Sequence, residues 1–130
     1  MTKKHKILAL LFVLTVAFVL VSLVEDKEPI KKNEAYYQEH FCEKLDGITE
    51  FILPDRTRVD CLTDDYAIEV DWAKKWAEGI GQSLFYAEMT NKKAGVALIV
   101  GENDQRYLKR INLIAGKVKV KVFIIKREKD

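Results

Sequence analysis

Apolar and polar positions along this chain fall into three rhythms, and the first is no rhythm at all. Residues 7–24 are 18 uncharged positions with only Thr15 and Ser22 as polar breaks. At about 1.5 Å per helical residue, such a run is just long enough to cross a hydrocarbon core of about 30 Å. A helix packed against a globular core shows a polar face, and this run has none. Residues 1–24 therefore predict a transmembrane or signal helix. A cleaved secretory signal ends in small residues, whereas the exit here reads Val21-Ser22-Leu23-Val24-Glu25, which favours an uncleaved anchor. Lys3, Lys4 and Lys6 precede the run, so the positive-inside bias keeps the N-terminus cytoplasmic and sends the remainder to the extracytoplasmic side.

Residues 25–32 are charged and interrupted by Pro29, a stalk, and the other two rhythms begin after them. Asn33 is an N-cap candidate for a helix to about Leu45, with Tyr37, Phe41 and Leu45 recurring every four residues. Three strand-like pieces follow at 48–53, 58–63 and 66–72. Pro54-Asp55-Arg56-Thr57 and Asp64-Asp65 supply the turns, so the three form an antiparallel meander. The period returns to helical from 73 to about 90, with Trp76, Ile80, Leu84 and Ala87 as the expected buried stripe. Gly79 and Gly81 each cost that helix about 1 kcal/mol relative to alanine, which points to a close approach there. The continuous apolar run 94–100 reads as a central strand. A helix from about 103 to 115 and a strand from 117 to 125 complete the chain; in that strand Lys117, Lys119 and Lys121 are expected outward and the valines inward, as on a protected edge. The fold class is α/β, a small mixed sheet in the order α-β-β-β-α-β-α-β over residues 33–130.

Length and charge narrow the picture. The chain has 130 residues, enough for one modest core after the leader. Its formal charge is +2, but removing the three leader lysines from the 22 basic residues leaves 19 against 20 acidic, or −1. A dominant phosphate-backbone footprint is not expected of such a domain, though a local basic patch is compatible with it. The two cysteines, Cys42 and Cys61, are compatible with one disulfide on the oxidising side of a membrane and with two free thiols on the reducing side.

The densest polar cluster lies between Asp60 and Tyr86. Strand alternation puts Glu69 and Asp71 on one face, and two like charges there are expected to meet solvent or a cation rather than the core. A hairpin brings Asp60 beside Glu69, an oxygen-donor pair suited to Mg²⁺ or Mn²⁺. Lys75, Glu78, Gln82 and Tyr86 follow at steps of three, four and four, a helical stripe opposite that of Trp76. A lysine, a carboxamide and a phenol beside two carboxylates can orient a water and a phosphate; a solvated helix face carries the same stripe.

Asp60, then Glu69-Val70-Asp71, then Gln82-Ser83-Leu84-Phe85-Tyr86 resembles the PD-(D/E)XK nuclease superfamily, in its RecB-like Q-x-x-x-Y branch. The resemblance covers roughly residues 33–125 and implies a restriction-endonuclease-like core around a four-stranded mixed sheet. It implies that Asp60 and Glu69, with Glu50 as a further acidic contact, are ligands of Mg²⁺ or Mn²⁺. It also implies that Lys75 is a relocated catalytic lysine and that Gln82 and Tyr86 position the substrate strand of DNA or RNA. The pattern has lysine two residues after the glutamate, where this chain has Asp71. Two other functions are compatible with that departure: a catalytically inactive nuclease-fold binding module, and an envelope interaction protein.

Overall fold

The computed structural model describes residues 2–22, the last four by backbone alone, and residues 32–129. They belong to two compact units, 1–30 and 31–130, each considered by itself. In the first, α1 (Lys3–Ser22) is a helix whose apolar side chains, from Ile7 through Phe18, are exposed on every side. Among the described residues no helix is long and apolar enough to cross a membrane. The expected span also takes in Leu23 and Val24, and these, like residues 25–31 of the stalk, lie outside the described residues.

The second unit is a five-stranded mixed sheet with three helices. Its elements are α2 (Glu34–Lys44), β1 (Ile48–Ile52), β2 (Arg58–Leu62), β3 (Tyr66–Trp72), a 3-10 turn (Ala73–Lys75), α3 (Trp76–Thr90), β4 (Lys93–Val100), α4 (Gln105–Ile114) and β5 (Val120–Lys126). The strands lie in sequence order, β1 to β3 antiparallel and β3 to β5 parallel. The meander, the central position of β4 and the edge position of β5 are as the hydrophobic pattern predicts. Parallel neighbours need a crossover, and α3 and α4 supply the two.

Each helix forms for a local reason. The Asn33 side chain accepts the Tyr36 backbone N–H at 3.1 Å, capping α2. Asn91 takes the left-handed conformation (φ 53°) that ends α3. Alternate residues of β4 then divide the core. Ala94, Val96, Leu98 and Val100 pack with Ile80, Ile111 and Ala115 under α3 and α4, while Ala97 and Ile99 pack with Tyr37, Cys42, Ile68 and Val70 under α2. Gly79 is where α3 comes closest, since a Cβ there would stand 3.2 Å from a Val96 methyl. Gly81 meets nothing within 4 Å, so the expected close approach belongs to Gly79 alone.

Three expectations are corrected. Leu45 caps α2 and is exposed, because the helix stops one residue short of it. On α3 the buried positions are Gly79, Ile80, Ser83 and Tyr86, and Leu84 is exposed. The stripe is turned toward Tyr86, whose ring fills the apolar pocket of Leu53, Val59, Leu62 and Ala67. Lys117 and Lys119 fall in the turn before β5, Lys119 at φ 56°, so of the three lysines only Lys121 stands outward on the strand.

Cys42 on α2 and Cys61 on β2 form a disulfide, their Cα atoms 5.5 Å apart and both side chains fully buried. Gly47 lies against it, where a Cβ would fall 2.7 Å from both sulfurs. Closing a loop of this length is expected to stabilise the fold by about 3 kcal/mol. Urea unfolding of a Cys42→Ser/Cys61→Ser double variant should show that loss, and Gly47→Ala should be destabilising in the oxidised protein and much less so in the double variant.

Candidate functional site

The site begins where β2 and β3 part. Their paired residues stop at Cys61 and Ile68, and the next pair along would be Asp60 and Glu69. There the ladder is carried by a side chain: Asp60 Oδ2 accepts the Val70 backbone N–H at 2.8 Å, and the Asp60 carbonyl accepts from Gln38 Nε2 at 3.1 Å. A backbone donor inside a fold must find a partner, and a carboxylate has replaced the usual carbonyl. The strand rotates at this point. Val59 and Cys61 would share a face in a regular strand, yet Val59 packs with Tyr86 and Cys61 packs with Tyr37. Across from Asp60, Glu50 sits in β1 at φ 54°, a left-handed conformation rare for a non-glycine residue. Such backbone strain concentrates at functional sites.

Glu69 and Asp71 point from β3 toward this opening, and they are buried at 6% and 3% exposure. Of the two expected surroundings, solvent or a cation, solvent is corrected: both side chains are buried, and each is hydrogen-bonded to another carboxyl group, Glu69 to Asp60 and Asp71 to Glu34. Burial, with Asp60 and Asp71 alongside, pushes the Glu69 carboxyl up to about 9, and it is hydrogen-bonded to Asp60. Burial also raises Asp60 to about 6 against the opposing effect of the Val70 N–H. At neutral pH Glu69 therefore carries its proton and Asp60 receives it as a hydrogen bond. Glu69 Oε2 is buried with no hydrogen-bond partner.

Further groups join from both sides. Glu34, in the first turn of α2, is raised to about 7 by burial and by a hydrogen bond with Asp71. Asp71 Oδ1 accepts the Trp72 N–H at 2.8 Å and lies 3.5 Å from the Lys75 ammonium, whose pKa the Asp71 charge raises. Tyr86 is buried; burial and the Glu69 charge raise its phenol, and a hydrogen bond from Gln82 opposes the rise. Gln82 Oε1 is a second buried acceptor without a partner. Glu50 has one oxygen 2.7 Å from Gln38 Nε2 and the other 2.9 Å from the Arg58 guanidinium, and its charge adds to the rise at Asp60.

The structure thus gathers Asp60, Glu69, Asp71, Lys75, Gln82 and Tyr86, and leaves Glu50 at the margin. Two members of the site were not anticipated. Glu34 reads in the sequence as an ordinary first-turn acid that suits the helix dipole. Gln38, which ties the backbone of Asp60 to Glu50, has no sequence signal beyond lying next to Tyr37 on the inward side of α2. Comparison of the chain with protein-family models, curated proteins and solved structures finds no match.

Glu34, Asp60 and Glu69 all hold protons more tightly in the folded chain than at their ordinary values of 4.5, 3.8 and 4.5. The stability they permit is complete below about pH 4 and is lost as the pH rises through about 6, 7 and 9. In metal-free buffer the melting temperature should fall from pH 5 to pH 8. Glu69→Gln should flatten that slope and raise the pH 8 midpoint by about 5 °C, roughly 1 kcal/mol for about 100 residues.

Proposed function

We propose that this chain is a metal-dependent phosphodiesterase of the nuclease type, acting on DNA or RNA, anchored in a membrane through residues 7–24 with its domain on the extracytoplasmic side. The observation that carries the reading is the parting of β2 and β3 at Asp60 and Glu69, where buried carboxyl groups meet Gln82 and Tyr86 from α3. The resemblance of those residues to the PD-(D/E)XK pattern supports the reading.

The donor set suits a hard divalent cation. Among the described residues no three His, Cys, Asp or Glu side chains converge at the spacing of a metal site. Mg²⁺, however, is commonly held by one or two carboxylates, with waters and substrate oxygens completing its octahedron. The unpartnered Glu69 Oε2 beside Asp60 offers that pair. Asp60 and Glu69 are thus the residues that would hold Mg²⁺ or Mn²⁺, and a cation bound there supplies an acidified water and neutralises charge on the phosphate. Loss of the Glu69 proton accompanies such binding, so affinity rises with pH. Lys75, exposed at the rim and held near Asp71, presents its ammonium to a phosphate oxygen. Gln82 keeps a free carboxamide oxygen to accept from the attacking water, and Tyr86 holds the Gln82 amide in place.

A second reading, an inactive nuclease-fold module that binds without cleaving, is favoured by Asp71. It stands where the superfamily pattern has lysine, and it is buried against Glu34. The membrane assignment is supported by the three lysines ahead of α1, by its exposed apolar side chains all round, and by the disulfide, which suits an oxidising compartment.

Purified full-length chain should cleave single- or double-stranded nucleic acid with Mg²⁺ or Mn²⁺. Asp60→Asn should reduce that rate at least 100-fold and abolish the rise in melting temperature that Mg²⁺ produces at pH 8. Lys75→Ala should keep the metal-induced rise and lose most of the rate. Metal-induced stabilisation without cleavage selects the inactive module, and neither effect rejects both metal-dependent roles.

For topology, a reporter active only outside the cytoplasm, fused after Asp130, should be active. Activity confined to a cytoplasmic reporter removes the membrane assignment.

A further inference from the structure

We propose that the cleft at the C-terminal end of β3, walled by Trp72 and Tyr107 and edged by Lys74 and Arg127, seats an unpaired nucleotide of a single-stranded nucleic acid. The proposal deepens the phosphodiesterase reading and rests on it for the phosphate that lies next to that nucleotide. The cleft is about 300 Å³ and is also lined by Ala73 and Asp104. Ligands of open α/β sheets bind outside the carboxyl ends of the parallel strands, and this cleft is at such an end. It is linked to the carboxylates through Trp72, which follows Asp71 and donates its backbone N–H to that side chain at 2.8 Å.

Its chemistry is aromatic and cationic together. The Arg127 guanidinium lies 5.6 Å from the Trp72 ring centre, and those of Arg106 and Arg110 lie 4.7 and 6.0 Å from that of Tyr107. Two cations, Lys74 and Arg127, line the cleft, and Arg106 and Arg110 stand against Tyr107, Arg106 donating to its hydroxyl at 2.7 Å, in a domain of net charge −1. Asp104 also lines the cleft, its Oδ2 accepting the Gly101 N–H at 2.8 Å, and its single negative charge is outweighed by Lys74 and Arg127; Glu102 pairs with Lys129 at 2.8 Å. An excess of positive charge beside two aromatic rings suits an anion that carries a flat ring, which is a nucleotide. Stacking on such a platform needs an open base face, which a duplex does not offer. The wall is braced from behind. Tyr37 packs edge-on to Trp72 at 5.9 Å, its hydroxyl accepts the Glu128 N–H at 3.1 Å, and the Arg127 N–H donates to the Val100 carbonyl at 2.9 Å.

The test is fluorescence anisotropy of labelled oligothymidylate with the full-length chain in detergent and a metal chelator, so that no cleavage intervenes. The intact protein should bind. Tyr107→Ala should weaken binding about tenfold or more and Tyr107→Phe should not, since a stacked base depends on the ring. Arg127→Gln, at an exposed side chain, should weaken binding similarly and lower the salt dependence, which keeps the test decisive if Tyr107→Ala does not fold. Unchanged affinity in Arg127→Gln overturns the proposal, as does equal competition by a blunt duplex of the same length. If Mg²⁺-dependent cleavage proceeds while the variants bind normally, the phosphodiesterase reading survives and this seat is rejected. If the variants lose binding and the intact chain never cleaves, the seat stands and catalysis is rejected.

Discussion

The hydrogen bond from the Val70 N–H to the Asp60 carboxylate governs the arrangement of everything around it. In an uninterrupted ladder that donor faces a main-chain carbonyl, and the strands stay about 4.8 Å apart. A carboxylate reaches further than a carbonyl, so the backbone of β2 stands off from β3 at this point and its own carbonyl is released to Gln38. The gap exposes the inner side of Glu69, and the rotation of β2 sends Val59 and Cys61 to opposite layers. Without the opening, two carboxylates on β3 would sit under α3 with no way to share protons or meet a cation. The strained Glu50 is the matching adjustment in β1, where a left-handed residue lets the outer strand follow the bend.

The helix α2 secures that opening from the other layer. It is tied at one end by the Cys42–Cys61 disulfide, one residue from Asp60, and in its middle by Gln38, which bonds to the Asp60 carbonyl and to Glu50. Its first turn delivers Glu34 to Asp71. A covalent link beside Asp60 fixes the register of α2 against β2, and Gly47 is the residue that leaves room for the two sulfurs. The disulfide is therefore part of how the carboxylates are held, as well as a term in stability.

Much of this was legible in the sequence, and what was not has a physical cause. Elements with a clean period and a local stop appeared where expected: α2 with its Asn33 cap, the three-strand meander, the continuous apolar run of β4, and α4. The nearness of Asp60 to Glu69 was also readable, because strands joined by a short turn place their residues side by side. Face assignment failed where tertiary demand outweighed hydrophobicity. Leu84 is the more apolar residue, but α3 buries Tyr86 among Leu53, Val59, Leu62 and Ala67, and buries Ser83 with its hydroxyl donating to the Ile80 carbonyl of the same helix. Burial of Glu69 and Asp71 was unreadable because it depends on shared protons between side chains from three elements. Glu34 was hidden for the same reason: its partner is 37 residues away on β3. The charge count of the whole domain, −1, likewise concealed two opposite regions side by side, since a sum carries no information on where charges fall.

That juxtaposition bears on how a domain with no net positive charge could handle a polyanion. The buried carboxyl groups repel phosphate when ionised, and at neutral pH Glu69 keeps its proton and Glu34 is near its midpoint. The site is thus less negative than its composition, at the expense of stability at high pH. On the proposed function, a cation held by Asp60 and Glu69 would displace the shared proton and reverse the local sign. The cationic rim of Lys74, Lys75 and Arg127 would then lie next to a neutralised centre rather than an acidic one. On that reading proton, cation and phosphate would be coupled through one pair of oxygens, because those oxygens are buried where a side chain interrupts a β-ladder.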